Sequence, residues 1–131
     1  MTDRPVTGRS RVLVVDDEPG VLDMLRESLE HLGYEASTAA SVEQAIVAMA
    51  RVRPHLVLLD LIMPGTSDLE ALTYFRQHHR TVPVIVVTGS REQEIARQAR
   101  AAGAFAIVGK PVDMPTLESL VAQAIGVAPG P

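Results

Sequence analysis

Four apolar segments of the chain each end in polar residues that could take part in phosphoryl chemistry. These residues are the acid pair Asp16 and Asp17, the acid Asp60, the hydroxyl of Thr88 followed by Gly89, and the amine of Lys110. If the segments are strands of one parallel α/β sheet, their carboxyl ends meet at one edge, and ligands bind at that edge. Three carboxylates, a hydroxyl and an amine there predict a site for a divalent cation and a phosphoryl group.

The three carboxylates suit a hard cation. Mg²⁺ prefers oxygen ligands and is usually held by one or two carboxylates together with water and phosphate oxygens, so Asp16, Asp17 and Asp60 form a candidate Mg²⁺ site. With the cation present, one carboxylate can act as a nucleophile toward phosphorus. Negative charge then spreads over three phosphoryl oxygens. Mg²⁺, Thr88 and Lys110 can each stabilise one of them.

A strand followed by a helix recurs five times along the chain. The predicted strands are residues 11–15, 34–39, 55–59, 84–88 and 106–110. Four of the five are continuous apolar runs, which is typical of strands that are covered on both faces. The βα order predicts a parallel sheet with right-handed crossovers. The expected fold class is therefore α/β, with a doubly wound sheet and helices on both faces.

Turn and capping residues mark the ends of the helices between these strands. Residues 41–44 (Ser-Val-Glu-Gln) and 90–93 (Ser-Arg-Glu-Gln) both match the capping box, in which the first and fourth residues satisfy open backbone N–H groups. Gly33 and Gly103 favour the ends of helices. Asp113 is predicted to begin the last helix.

The composition limits the class of protein and its surroundings. With 131 residues, of which 47% are hydrophobic, the chain is long enough for one domain with its own core. It has no cysteine, which excludes disulfides and thiolate chemistry, and its net charge of −4 argues against direct nucleic-acid binding. No apolar stretch reaches the roughly 20 residues of a membrane span. We therefore expect no membrane contact and a cytoplasmic location.

The expected domain comprises residues 11–126. Residues 1–10 carry charge and lack an apolar region, so we expect a flexible N-terminal segment rather than a secretory signal. Residues 127–131 are expected to form a flexible tail or the start of a linker.

These motifs together resemble the receiver domains of two-component response regulators, over about residues 10–126. The matching residues are Asp16-Asp17-Glu18-Pro19, Asp60 with Met63-Pro64-Gly65, Thr88-Gly89, Ala102-Gly103-Ala104 and Lys110-Pro111. The resemblance implies a flavodoxin-like, five-stranded parallel sheet in the order 2-1-3-4-5 and a cis peptide bond between Lys110 and Pro111. It also implies two partners, namely a histidine kinase or phosphotransfer protein as donor and an unidentified output protein or domain.

The resemblance further implies a role for each acidic residue. Asp60 is the expected phosphoacceptor of a Mg²⁺-dependent reaction. Asp17, Asp60 and the backbone carbonyl of Ile62 are the expected direct ligands of the ion, and Asp16 is expected to act through water.

The same resemblance assigns Thr88, Gly89 and Lys110 to the phosphoryl group. It implies a switch that gains and loses its own phosphate and has no substrate to turn over, so we do not expect an enzyme. The signal is expected to reach the output partner through a change of conformation.

Two positions depart from the family pattern. Asp68 stands eight residues after the acceptor, where glycine is usual, and aspartate adopts the left-handed backbone conformation at modest cost. Ile107 occupies the position of the aromatic switch residue, three residues before the lysine. Phe105 lies two residues before Ile107, so strand alternation places both on the same face but at different points along the strand. We therefore expect the usual aromatic readout to be weakened or altered.

Other interpretations of these residues are open at this stage. Asp16 and Asp17 are also residues that cap helix N-termini, and Thr88 is also a residue that satisfies turns. For the whole chain, the alternative is a receiver-like binding module that is not regulated by phosphorylation. A flavodoxin is disfavoured by the acidic first loop, and an aspartate-dependent phosphatase by Ile62, where that class has a second acid.

Overall fold

The computed structural model describes residues 9–61, 69–89 and 93–127 of the chain. Within these ranges, five β-strands alternate with five α-helices, as the sequence predicts. In chain order they are β1 (Arg11–Val15), α1 (Pro19–His31), β2 (Glu35–Ala39), α2 (Val42–Val52), β3 (Leu56–Leu59), α3 (Glu70–His78), β4 (Val84–Thr88), α4 (Gln93–Ala101), β5 (Ala106–Gly109) and α5 (Met114–Val127).

The five strands form one parallel sheet in the predicted order, β2-β1-β3-β4-β5. Val15 at the end of β1 is in register with Leu59 at the end of β3, and Leu59 is in register with Val86 of β4. Thr88 at the end of β4 is in register with Gly109 at the end of β5. The carboxyl ends of these strands therefore lie side by side, and the residues that follow them meet at one edge.

Alternate residues of the central strands pack on opposite faces of the sheet. Val12 and Val14 of β1 join a buried cluster with side chains of α1 and α5. Leu13 and Val15 join the cluster on the other face, with side chains of α2, α3 and α4. A strand that is buried on both faces needs an apolar residue at each position, which explains the continuous apolar runs in the sequence.

Side chains cap two helices at residues that the sequence identifies. Ser41 Oγ accepts a hydrogen bond from the backbone N–H of Gln44 at 3.1 Å, and Gln44 Oε1 accepts one from the backbone N–H of Ala40 at 2.8 Å. In the usual capping box, the fourth side chain accepts a hydrogen bond from the backbone N–H of the N-cap residue. Here Gln44 accepts it from the residue before the N-cap residue Ser41. Asp113 Oδ2 accepts a hydrogen bond from the backbone N–H of Thr116 at 3.1 Å, just before α5.

Residues in the left-handed backbone conformation follow three of the helices. Gly33 after α1 has a φ of 100°, and Gly103 after α4 has a φ of 106°, as expected for helix-ending glycines. Gly103 also passes close to Arg76, whose Nε would lie 3.0 Å from an added Cβ. Arg53 ends α2 with a φ of 54°, and no glycine marks that end in the sequence.

Arg11 closes the amino end of the sheet against the end of α2. Its Nε donates hydrogen bonds to the carbonyl oxygens of Val52 at 2.9 Å and Arg53 at 3.1 Å, and its Nη2 donates to Arg53 at 3.0 Å. Its backbone N–H donates to Nδ1 of His55 at 2.9 Å. Arg11 therefore satisfies carbonyl groups that the last turn of a helix leaves open.

The bounds of the elements differ slightly from the predicted ones. Strands β2 and β3 begin at Glu35 and Leu56, each one residue later than predicted, and β5 ends before Lys110. Helix α5 continues to Val127, the first residue of the expected tail. The second capping box includes residues 90–92, which lie outside the described residues. No helix within the described ranges is both long and apolar enough to cross a membrane.

Candidate acidic site at the carboxyl edge of the sheet

The hydrogen bonding of the sheet continues one residue beyond β1 and β3 and thereby positions two aspartates. The backbone N–H of Asp60 donates to the carbonyl oxygen of Val15 at 2.9 Å, and that of Asp16 donates to the carbonyl oxygen of Ala39 at 3.1 Å. These bonds hold the backbones of Asp16 and Asp60 on neighbouring strands. The two side chains therefore start from fixed points at the same edge.

The three aspartates form a compact cluster. One carboxylate oxygen from each of Asp16, Asp17 and Asp60 lies within 4.8 Å of the other two. Asp16 and Asp60 are only 2% and 4% exposed, whereas Asp17 is exposed to solvent. Like charges repel strongly where water is largely excluded. The cluster therefore needs positive charge beside it.

Lys110 supplies part of that positive charge. Its Nζ lies 2.7 Å from Oδ2 of Asp16, 3.2 Å from Oδ2 of Asp60 and 3.4 Å from Oε1 of Glu18. The Lys110 side chain is 18% exposed, so the ammonium is partly withdrawn from water. Among the described residues, one ammonium faces the three aspartates and Glu18, and negative charge is in excess.

The surroundings of Lys110 keep it protonated. Partial burial acts to lower the pKa of its ammonium, but the hydrogen bond to Asp16 and the charge of Asp60 outweigh burial and raise the pKa above its usual value. Lys110 therefore acts at neutral pH as a fixed positive charge and not as a proton donor or acceptor.

Asp16 shapes the loop before α1 and does not cap the helix. Its Oδ1 accepts a hydrogen bond from the backbone N–H of Glu18 at 2.9 Å, which is the pattern of an Asx turn. Glu18 is the N-cap residue of α1, and no side chain in the described part of the chain caps the helix there. The helix-cap interpretation of the acid pair is therefore wrong. Glu18, which directly follows the acid pair, also lies 3.4 Å from Lys110 and is a residue of the site that the sequence does not predict.

Thr88 and Lys110 come together at the ends of β4 and β5. The backbone N–H of Lys110 donates to the carbonyl oxygen of Thr88 at 2.9 Å, and Thr88 is buried. Gly89 follows at an exposed position. The peptide bond between Lys110 and Pro111 is cis, as the family resemblance predicts. The structure thus brings the polar ends of four strands to one edge.

Ile107 and Phe105 occupy different surroundings on and before β5. Ile107 is half-buried, in register with Val86, and packs against the cluster that joins the sheet to α2, α3 and α4. Phe105 is exposed just before the strand. An aliphatic side chain therefore fills the predicted switch position. The backbone carbonyl of Ile62 and the side chain of Asp68 lie outside the described residues.

The donor atoms of the cluster fit a hard divalent cation. The cluster consists of carboxylate oxygens from Asp16, Asp17 and Asp60, without a nitrogen or sulfur donor among the described residues. Excess negative charge favours a cation, and the exposed side of the cluster at Asp17 leaves room for water. Mg²⁺ has these preferences, since it binds oxygen and keeps several water ligands.

Comparison with known protein families and sequences agrees with this geometry. A family profile described as the response regulator receiver domain matches residues 12–122. The chain is 36% identical over 117 residues to response regulator protein PilR of Pseudomonas aeruginosa, and the match covers 89% of this chain and 26% of PilR. It is 31% identical over 111 residues to sporulation initiation phosphotransferase F of Bacillus subtilis, which covers 85% of this chain and 90% of that protein.

Solved structures share the fold over nearly the whole chain. A CheY-like receiver domain protein from Methanospirillum hungatei has a TM-score of 0.85 and 28% identity, with 90% of this chain and 94% of that chain covered. Response regulator TrrA of Thermotoga maritima, in complex with Mg²⁺ and BeF, has a TM-score of 0.79 and 32% identity, with coverages of 88% and 98%. The chain spans about a quarter of the length of the first curated relatives. It belongs to the response regulator receiver domain family.

Proposed function

We propose that this receiver domain accepts a phosphoryl group on Asp60 in a Mg²⁺-dependent reaction. The donor is the phosphohistidine of a histidine kinase or phosphotransfer protein. The observation that carries the proposal is the setting of Asp60, whose buried carboxylate lies in a cluster of three aspartates, 3.2 Å from the Lys110 ammonium. Within the described ranges, the carboxylates of this cluster outnumber the ammonium. Such a cluster attracts a cation, and the cation offsets repulsion of an incoming phosphoryl group.

In the proposed transfer, one carboxylate oxygen of Asp60 attacks phosphorus in line with the phosphorus–nitrogen bond of the donor. A phosphorus–oxygen bond forms and the phosphorus–nitrogen bond breaks. The electron pair leaves with the imidazole nitrogen of the donor, which takes up a proton. Asp60 becomes an acyl phosphate. Because the carboxylate is already the nucleophile, the reaction needs no base to deprotonate it.

Asp16, Asp17 and Asp60 would hold Mg²⁺, joined in this proposal by the backbone carbonyl of Ile62. When bound, Mg²⁺ would neutralise charge on the transferring phosphoryl group. We propose Asp17 as a direct ligand and Asp16 as a ligand through water. Both Asp16 oxygens already accept hydrogen bonds, one from a backbone N–H and one from Lys110, whereas Asp17 is exposed.

Lys110 and Thr88, with the backbone of Gly89 beside them, are proposed to hold the new phosphoryl group. Before transfer, Lys110 Nζ is shared between Asp16 at 2.7 Å and Asp60 at 3.2 Å. New anionic oxygens on Asp60 would draw the ammonium and the Thr88 hydroxyl toward them. Because the backbones of Lys110 and Thr88 are hydrogen-bonded to each other, this movement would be passed to β5.

The output partner is proposed to contact the surface formed by α4, β5 and α5, which lies next to the moving residues. The matched region covers only 26% of PilR, so the output is proposed to be either a separate protein or a further domain. Ile107 is half-buried where the family usually has an aromatic switch residue. We therefore expect a weaker or altered coupling between phosphorylation and this surface.

The same observation at Ile107 favours a second candidate function, a receiver-like binding module that is not regulated by phosphorylation. In that candidate, Lys110 serves only to neutralise Asp16 and Asp60, and the partner binds one constant conformation. Amide exchange with and without a beryllofluoride phosphate mimic distinguishes the two candidates. Changes in α4, β5 or α5 support the switch, and an unchanged pattern supports the binding module.

Incubation with a small phosphodonor such as acetyl phosphate, together with Mg²⁺, tests the phosphorylation itself. Intact-mass measurement should show one phosphate per chain for the natural sequence and none for Asp60→Asn. Asp23→Asn serves as a matched control, because Asp23 is an exposed aspartate on α1, and should be labelled normally. Undiminished labelling of Asp60→Asn, or no labelling of the natural sequence, would contradict the proposal.

A further inference from the structure

The outer side of α2 borders a groove that has no role in the proposed function. The groove has a volume of about 660 Å³ and lies between α2 and β2, and Glu43, Val47 and Arg51 line it. Val47 is 56% exposed, more than any other large hydrophobic side chain in the described ranges. Strand β2 stands at the edge of the sheet beside it. An exposed apolar residue thus lies between two opposite charges.

The charges on α2 are not paired within their own helix, unlike those on α1. On α1, Arg26 lies 3.4 Å from Asp23 and 3.8 Å from Glu30, and α4 has an ion pair of the same kind. Glu43 and Arg51 are eight residues apart, or about 12 Å along the helix axis, which is too far for an ion pair. Within the described part of the chain, neither residue forms one.

Glu43 and Arg51 lie symmetrically about Val47, four residues to either side. Residues four apart share one face of a helix. We propose that two copies of this chain associate through α2 in antiparallel orientation. A two-fold axis at Val47 sets Glu43 of each copy against Arg51 of the other and brings the two Val47 side chains together. Such a surface is self-complementary, as a two-fold dimer requires.

The small size of this surface limits the strength of the dimer. One helix face with a single central apolar residue buries less than the roughly 1,200 Å² of a stable interface. We expect a dissociation constant on the order of 0.1–1 mM, and weaker association at high salt, because the charges are exposed. The dimer needs no phosphate on Asp60 and is therefore independent of the proposed function.

Sedimentation equilibrium at low salt, without phosphodonor and at concentrations up to about 1 mM, tests the dimer. In the proposed dimer, Glu43→Arg makes both facing pairs positive, and Arg51→Glu makes both facing pairs negative. Each variant therefore replaces two attractive pairs by two repulsive ones. Each should raise the dissociation constant by about tenfold or more. An equimolar mixture of the two variants should associate as tightly as the natural chain, because the charges of a mixed pair are again opposite.

The matched control is Glu27→Arg, which makes the same change of charge at an exposed position on α1 and should leave the dissociation constant unchanged. Circular dichroism melting checks that each variant is folded. A natural chain that stays monomeric over the whole range would overturn the proposal. The proposal would also be overturned if neither charge reversal changed the dissociation constant. It would be overturned as well if both variants were folded and their mixture did not associate as tightly as the natural chain.

Discussion

Arg11 at the amino end of the sheet and Lys110 at the carboxyl end are both cationic, and the two side chains face different acceptors. At the amino end, Arg11 donates to the backbone carbonyl oxygens of Val52 and Arg53. At the carboxyl end, Lys110 donates to the side-chain carboxylates of Asp16 and Asp60. The carbonyls are neutral and belong to the end of a helix. The carboxylates are charged, and in the described part of the site they outnumber the ammonium.

The Arg11 contact completes the fold, whereas the Lys110 contact lies in the site of the proposed phosphoryl transfer. The hydrogen bonds of Arg11 satisfy carbonyl groups at the end of α2, and no ligand is needed to complete them. Among the described residues, the carboxylates around Lys110 outnumber the ammonium, so binding of a cation relieves repulsion there. Substitutions at the two ends should therefore differ in kind, with stability affected at both and phosphorylation affected at one.

Lys110→Met should give the largest change in stability. The substitution leaves two buried carboxylates without their shared cation, and removal of one partner from a fully buried pair costs about 3–5 kcal/mol. Because Lys110 is partly exposed, we expect the free energy of unfolding to fall by about 2 kcal/mol. Denaturation in the presence of a chelator measures this, and added Mg²⁺ should recover part of the loss. An unchanged free energy of unfolding would contradict the role of Lys110 as counterion.

Arg11→Met makes the corresponding change at the amino end. It removes hydrogen bonds to two carbonyl oxygens at the end of α2 and should lower the free energy of unfolding by about 1–2 kcal/mol. Phosphorylation of Asp60 should be unchanged at a temperature where the variant is folded. If phosphorylation fell together with stability, the hydrogen bonds of Arg11 would not be purely structural, and the proposed difference between the two ends would be wrong.

Asp17→Asn and Asp16→Asn sharpen the description of the carboxyl end. Asp17 is exposed and available to a cation, whereas both oxygens of Asp16 accept hydrogen bonds. We expect Asp17→Asn to raise the dissociation constant of Mg²⁺ by about tenfold and Asp16→Asn to raise it less. Titration calorimetry gives both values. Equal effects of the two substitutions would argue against direct binding of Mg²⁺ by Asp17 and water-mediated binding by Asp16.

The smallest expected effect is a pH dependence at the amino end, where His79 lies in the connection that leads into β4. Partial burial, and next to it the charge of His78, lower the pKa of His79 below 6.5. His79 therefore binds a proton more tightly in the unfolded chain than in the folded one. The free energy of unfolding is highest above about pH 6.5 and declines as the pH falls below that value. His79→Gln should flatten the decline between about pH 7.5 and 5.5. An unaltered slope in denaturation experiments would exclude His79 as its source.

The strands were the most predictable part of the fold because the sheet is covered on both faces. A strand such as Leu56–Leu59 is buried at each position and reads as an uninterrupted apolar run. Strand β2 is half-buried at the edge of the sheet, so its apolar pattern is weaker. The meeting of Asp16, Asp60 and Lys110 was predictable too, because a parallel sheet brings the ends of its strands to one edge.

Contacts that depend on side-chain geometry were not predictable from the sequence. Arg11 caps the end of α2 from 41 residues away, and no local pattern marks such a contact. Neither residue type nor strand position shows that Asp16 is buried and Asp17 is exposed. That difference arises because Asp16 directly extends β1, and its side chain is held by Lys110 across the site.

Chemical mapping of the phosphorylated residue tests most directly whether Asp60 is the phosphoacceptor. The protein is incubated with acetyl phosphate and Mg²⁺ and then reduced with borohydride, which converts an aspartyl phosphate to homoserine, and the digest is sequenced by tandem mass spectrometry. We expect homoserine at position 60 alone, and none when Mg²⁺ is removed by a chelator. Homoserine at Asp16 or Asp17, or a phosphorylated protein without homoserine at position 60, would contradict that assignment.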